Sequence, residues 1–243
     1  MAVLAPIFGV LLVLGIWQAT VWWYRVDPVV LPTPVDVLGR LGGLLREATF
    51  WHNVAVSLGE FAIGYVLGCL LGIAAGLLLA ELPALRSAAH PLVETFRFIV
   101  PFAWIPLVIL WFGTSTWGKV WLVTYAVFFV MVVATPASLR NVDPTLRRVA
   151  TMLGMNPWRR LVRIELRSAM PSIASAARAS AAIGWIAVVA AEYVGSNAGL
   201  GFLIINASSS LDTGVVIAGM AVIGLVGAGV SLLVNRFVAS SAR

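Results

Sequence analysis

One cysteine, one lysine and two histidines are all that the 243-residue sequence holds of the side chains most used in covalent and metal chemistry. A lone cysteine excludes an intrachain disulfide, and Cys69 sits in an apolar run where it reads as a packing residue. His52 and His90 stand apart, and each is expected in a different loop. No Cys/His spacing fits zinc, and H-E-x-x-H is missing. No nucleophile–base pair is recognisable. Charge is scarce too, at 11% of residues, against about 25% in a soluble domain. The chain is 61% hydrophobic with a mean hydropathy of +1.00. Its long uncharged runs reach or approach the roughly 20 residues that a bilayer-crossing helix needs. The composition predicts an all-α polytopic membrane protein, one domain over residues 1–243. The net charge of +6 lies in loops between apolar runs, which argues against nucleic acid as a partner.

The single lysine, Lys119, falls in GTSTWGKV, residues 113–120, a near-match to the phosphate loop G-x-x-x-x-G-K-[ST]. The last position is Val120, so the hydroxyl for Mg²⁺ is missing, and no strand precedes the segment. The expectation is a chain with no ATP site and no cofactor of its own.

About six spans are expected. Residues 4–24 form the first, without the basic start and small-residue cleavage site of a signal peptide, so it reads as a retained span. Trp17, Trp22, Trp23 and Tyr24 gather towards its end as interfacial aromatics do. LPTP follows, and Thr33, Pro34 and Asp36 make a helix start. Val37, Leu38, Leu41, Leu44 and Leu45 continue it as an amphipathic helix in the interface. The second span, residues 54–80, carries Gly64, Gly68, Gly72 and Gly76 on one face. That face allows a close helix approach, either as fixed packing or as a sliding contact. Glu60 near its start requires a partner or water. The third span, residues 91–111, holds Glu94 and Arg97 as a pair three apart, and Pro101 and Pro106 predict a kink or break. Residues 120–139, 171–194 and 213–235 are the remaining spans. Arg178 and Glu192 lie near the ends of the fifth, and GSNAGLGF follows as a glycine-rich turn.

Seven of the sixteen basic residues crowd into residues 139–171, accompanied only by Asp143 and Glu165. Locally this is a helical hairpin. Asp143 and Pro144 suit the start of one helix, and Leu146, Val149, Ala150 and Leu153 repeat at helical spacing. Gly154 suits the left-handed end. Asn156 and Pro157 start the next helix, with Trp158, Leu161 and Val162 as its apolar stripe. If the hairpin is cytoplasmic, twelve Lys and Arg fall on that side and four on the other. This distribution puts both termini in the cytoplasm.

The hairpin and its flanks resemble the transmembrane permease subunit of bacterial binding-protein-dependent ABC importers, in the branch serving nitrate, sulfonate and taurine. The resemblance rests on LPTP, then Pro91, Arg97 and Pro101 leading into IPLVILWFGTS, then VDPTLRRVATMLGMNPWRRLVRIEL with AMP, then AAEYVGSNAGLGFLI. It implies a type I importer permease in the bacterial cytoplasmic membrane, with residues 140–171 as the coupling element. Leu146, Ala150, Leu153, Gly154, Ile164, Leu166 and Pro171 match the signature. Arg148 replaces its opening Glu, Val149 the following Ala, and Arg167 a frequent Pro. Glu60 stands where that branch is expected to carry a basic residue.

By resemblance, Leu146, Arg148, Val149, Ala150, Leu153, Gly154, Met155, Asn156 and Trp158 meet a separate cytoplasmic ATPase, present in two copies and holding ATP and Mg²⁺. The solute, small and polar, with an anion among the options, passes between this chain and a second permease subunit, identical or different. Arg97, Pro101, Arg178 and Glu192 are candidates for that path, and residues 196–201 for contact with an outer substrate-binding protein. The alternative is an ATP-independent secondary transporter or channel component, which predicts internal repeats and mid-span charges. No convincing repeat is present, and the charges cluster at span ends.

Overall fold

The computed structural model describes residues 4–241, with side chains described for residues 8, 9 and 11–236. Arg243, counted in the charge balance above, lies outside the described residues. The described chain is helical between short turns, in keeping with an all-α membrane fold. Helix α1 is Leu4–Tyr24, α2 Pro34–Leu44, α3 Ala48–Glu81, α4 Pro83–Arg97, α5 Ile105–Phe112 and α6 Thr116–Arg140. Then come α7 Pro144–Met152, α8 Pro157–Arg160, α9 Leu166–Gly195, α10 Leu200–Ser209 and α11 Thr213–Ser241.

Among the described residues, four helical stretches are long and apolar enough to cross a membrane: Ala48–Glu81, Thr116–Arg140, Pro157–Gly195 and Thr213–Arg236. The pair α4–α5 makes a fifth if counted as one broken span. The expected kink in the third span is sharp. The two helices meet at 88°, joined by a 3₁₀ turn at Pro101–Trp104. Val100, forced towards extended backbone by the proline that follows, has φ −59° and ψ 135°. Pro106 stands in the first turn of α5, where its missing N–H costs nothing.

Helix α2 starts with the expected capping box. Thr33 Oγ1 accepts the Asp36 N–H, and the Asp36 carboxylate accepts the Thr33 N–H. Its Val37 and Leu44 are buried and its Leu38 is exposed. Arg40 reaches Asp212, at the start of α11, at 3.4 Å.

The centre of the fold is α3 against α6. Gly64, Gly68, Gly72 and Gly76 of α3 meet Val123, Val127, Met131 and Thr135 in turn, one turn of α6 per turn of α3. A β-carbon on Gly72 would lie 2.6 Å from Met131 Cβ and 2.9 Å from the Phe128 carbonyl oxygen. Both neighbours are fixed, because Met131 is fully buried and the other is backbone. Such a contact is the close helix approach that small residues permit. Gly72→Val is expected to lower stability by about 1–3 kcal/mol or more through overpacking. The thermal unfolding midpoint in detergent checks this. Gly59→Ala serves as the control, since nothing lies within 4 Å of its added carbon.

Helix α9 lies against the α3–α6 pair. Tyr65 Oη donates to the Ala177 carbonyl at 2.8 Å. Trp185 Nε1 donates to the Ile223 carbonyl at 3.1 Å and so links α9 to α11.

Candidate functional site

The hairpin is built from two capped turns. Asp143 accepts the Thr145 N–H at 2.8 Å and opens α7 with Pro144 behind it. The bonds from Thr145 hold the Asp143 carboxyl below the usual carboxylate range. At the other end Gly154 has φ +69°. Its N–H goes to the Thr151 carbonyl at 3.0 Å, and the Met155 N–H to the Ala150 carbonyl at 3.1 Å. These two bonds are the Schellman pattern, which needs a residue tolerant of the left-handed region. Asn156 then accepts the Trp158 N–H at 3.1 Å and opens α8.

The apolar side chains of this hairpin are mostly unpartnered. Met152 is 85% exposed, Leu153 73% and Trp158 68%, and Leu146 and Val149 are also exposed. Ala150, expected on their face, is fully buried, and Met155 is half-buried. Arg148 and Asn156 are exposed at the surface of the same hairpin. These side chains give the hairpin an apolar, solvent-exposed tip.

Two features of the hairpin differ from the sequence expectation. The fifth span does not start at Pro171. Helix α8 runs through a π-turn at Leu161–Glu165 into α9, so Pro157–Gly195 is one helical stretch of 39 residues. Pro171 lies inside it. The second limb of the hairpin is therefore helically continuous with a membrane helix. The other feature is a clamp. Glu165, 3% exposed, accepts from Arg160 Nε at 2.8 Å and forms an ion pair with Arg147, whose Nη2 lies 3.0 Å from it. Arg147 Nη2 also donates to the Leu139 carbonyl at 2.7 Å. One carboxylate thus ties both limbs to the end of α6.

Of the candidate path residues, Arg97 and Pro101 come together. They line an apolar groove of about 560 Å³ with Tyr125, Phe129, Val133 and Ile183. Arg97 pairs with Glu94 at 2.8 Å, as the spacing predicted, and lies over the Phe98 ring. Arg178 is half-buried on α9 and outside that lining. Glu192 is outside it too and fully buried.

The place of Glu192 is explained by the turn it supports. The first N–H groups of a helix lack intrahelical partners, and a carboxylate there is favoured by the helix dipole. At the start of α10, Asn53 accepts the Gly199 N–H at 3.0 Å and Ser57 the Leu200 N–H at 2.9 Å. Glu192 accepts the Gly201 N–H at 2.9 Å. Gly199, at φ +113°, leaves room for the Glu192 carboxylate where a β-carbon would stand. Beside this cap, Lys119 Nζ lies 2.6 Å from Glu60 and 2.9 Å from Ser196 Oγ. The lysine of the phosphate-loop near-match is thus engaged with a buried carboxylate, and Glu60 has the partner that its depth requires.

The helix order, the broken third span and the capped hairpin between α6 and α9 define the class. This is the fold of type I ABC importer permeases. The fold matches a chain of the MetNI methionine ABC transporter, inward facing, with a TM-score of 0.67 at 17% identity over 81% of this chain and 99% of the other. It also matches a chain of a bacterial ABC transporter that imports the acidic polysaccharide alginate, with a TM-score of 0.69 at 14% identity over 99% of each. The family follows from sequence. The chain belongs to the binding-protein-dependent transport system inner membrane components, whose model matches residues 68–243. It is 32% identical over 217 residues to the taurine transport system permease protein TauC of Escherichia coli, covering 85% of this chain and 79% of that one. It is 31% identical over 215 residues to the putative aliphatic sulfonates transport permease protein SsuC of Bacillus subtilis, covering 88% and 78%. The protein is a multi-pass transport permease of the inner membrane.

Proposed function

We propose that this chain forms one half of the membrane path of an ATP-driven importer for a small anion of the sulfonate type. The carrying observation is the hairpin tip, where Leu146, Val149, Met152, Leu153 and Trp158 are exposed on a doubly capped turn continuous with α9. In this reading the tip seats on a cytoplasmic ATPase subunit, two copies per complex, which holds ATP and Mg²⁺. Closure of the ATPase pair moves the tip, and the 39-residue stretch from Pro157 carries that movement into the membrane. A contact transmits work only if it differs between nucleotide states. A rigid limb transmits such a difference better than a flexible loop.

The solute class is supported by the taurine and aliphatic sulfonate relatives. Among the described residues, Arg97 is the one charged side chain lining the 560 Å³ groove, and an anion there would compete with Glu94 for it. The groove opens towards a second permease subunit, identical or different, and a substrate-binding protein meets the turn at residues 196–201. Both termini lie in the cytoplasm, on the side with twelve of the sixteen basic residues.

The experiment is a tagged purification from the native host in mild detergent, with intact-complex mass and subunit identification. Two ATPase subunits per complex are expected, and one or two copies of this chain decide between a mixed and a symmetric pair. A chain that comes away alone, stable and still transporting after reconstitution, overturns the reading in favour of a secondary transporter.

A further inference from the structure

Where α3 gives way to α4, a small cleft opens against the foot of the hairpin. Four arginines line it, Arg86, Arg140, Arg147 and Arg160, with Glu81 and Glu165, around about 250 Å³. Four positive and two negative side chains leave the lining at a formal +2. Glu165 is already engaged by Arg147 and Arg160. Among the described residues, the Nε atoms of Arg86 and Arg147 are nonetheless shielded from solvent and without a hydrogen-bond partner. A buried guanidinium N–H without an acceptor is unfavourable, because it has lost water and gained nothing. The remaining wall, Ala80, Pro136 and Leu139, is apolar.

Excess positive charge from four guanidinium groups beside a partly apolar wall describes a receptor for an oxyanion. Guanidinium forks match the paired oxygens of a phosphate group. We propose that this cleft binds a phosphate-type oxyanion, carried either on an anionic phospholipid headgroup or as free inorganic phosphate. Basic pockets between membrane helices favour the first source, and a site open to water admits the second. The cleft joins the end of α3, the end of α6 and both limbs of the hairpin. An anion in it would brace the hairpin against the spans, whatever the hairpin docks on. The proposal goes beyond the importer reading and does not rest on it.

The test uses the purified complex or the full-length chain, wild type and the Arg86→Gln/Arg140→Gln double variant, which leaves the Glu165 clamp in place. One arm measures retention of phosphatidylglycerol against phosphatidylcholine by native mass spectrometry. The other titrates inorganic phosphate, against chloride at equal ionic strength, and follows the thermal midpoint. The double variant is expected to bind about tenfold more weakly in the arm that matches the source, as loss of charge-assisted hydrogen bonds implies. A change in the lipid arm alone assigns a headgroup, and a change in the phosphate arm alone assigns a free anion. Arg86→Lys, which keeps the charge and loses the fork, is expected to fall between wild type and the double variant, and serves alone if the double variant does not fold. Equal binding by wild type and variants in both arms overturns the proposal.

Discussion

Replacing Lys119 with methionine is expected to destabilise the protein by about 3–5 kcal/mol, the usual cost of leaving one partner of a buried ion pair behind. Glu60 is 2% exposed in the body of α3, and its carboxylate lies 2.6 Å from Lys119 Nζ. The same ammonium donates to Ser196 Oγ, so the turn before α10 loses a tie as well. The double variant Lys119→Met/Glu60→Gln removes both charges and is expected to recover much of the loss. A double-mutant cycle on thermal unfolding in detergent measures the coupling directly. A single variant costing less than about 1 kcal/mol, within the range of an exposed pair, would mean that Lys119 does not hold Glu60.

The second large effect is on coupling rather than stability. Gly154 sits at φ +69° with nothing within 4 Å of where a β-carbon would be. Substitution there tests backbone conformation alone, free of any steric clash. A non-glycine residue in the left-handed region costs roughly 1–2 kcal/mol, and a β-branched one is least suited to it. Gly154→Val is expected to reshape the turn between α7 and α8, so that reconstituted complexes keep hydrolysing ATP while solute uptake falls at least about tenfold, the effect of a strain near 1.4 kcal/mol. Gly154→Asn, which tolerates the same conformation, is expected to keep most uptake. Normal uptake in Gly154→Val would contradict the account of this turn.

The parts of this site that could be read from sequence are the local ones. Both helix starts of the hairpin and its glycine end depend on residues within a few positions of one another: Asp143 with Thr145, Asn156 with Trp158, Gly154 with Thr151. The glycine face of α3 was legible because its period is that of the helix, and the structure settles its partner as α6. What stayed hidden depends on distance along the chain. Glu60 and Lys119 meet across two spans, and nothing in either neighbourhood announces the other. The α10 cap borrows Asn53 and Ser57 from far upstream. The clamp on Glu165 joins arginines five and eighteen residues away, spacings that are not helix-face neighbours. The fifth span is expected to begin at Pro171, yet the helix passes through that residue. Arg148, the reversal at the opening position of the signature, is exposed on the hairpin and is available to a partner surface.

The most direct measurement is site-specific crosslinking from the hairpin in native membranes, in a Cys69→Ala background that removes the only cysteine. Cysteines would be placed at Met152 and Arg148, both exposed on the hairpin, and at Leu38, exposed on α2, as control. The account predicts strong crosslinks from positions 152 and 148 to a nucleotide-binding subunit, changing with nucleotide state, and none from 38. Crosslinking from 152 without 148 would remove Arg148 from the contact. No crosslink from either would contradict the central claim that this hairpin is where an ATPase drives the permease.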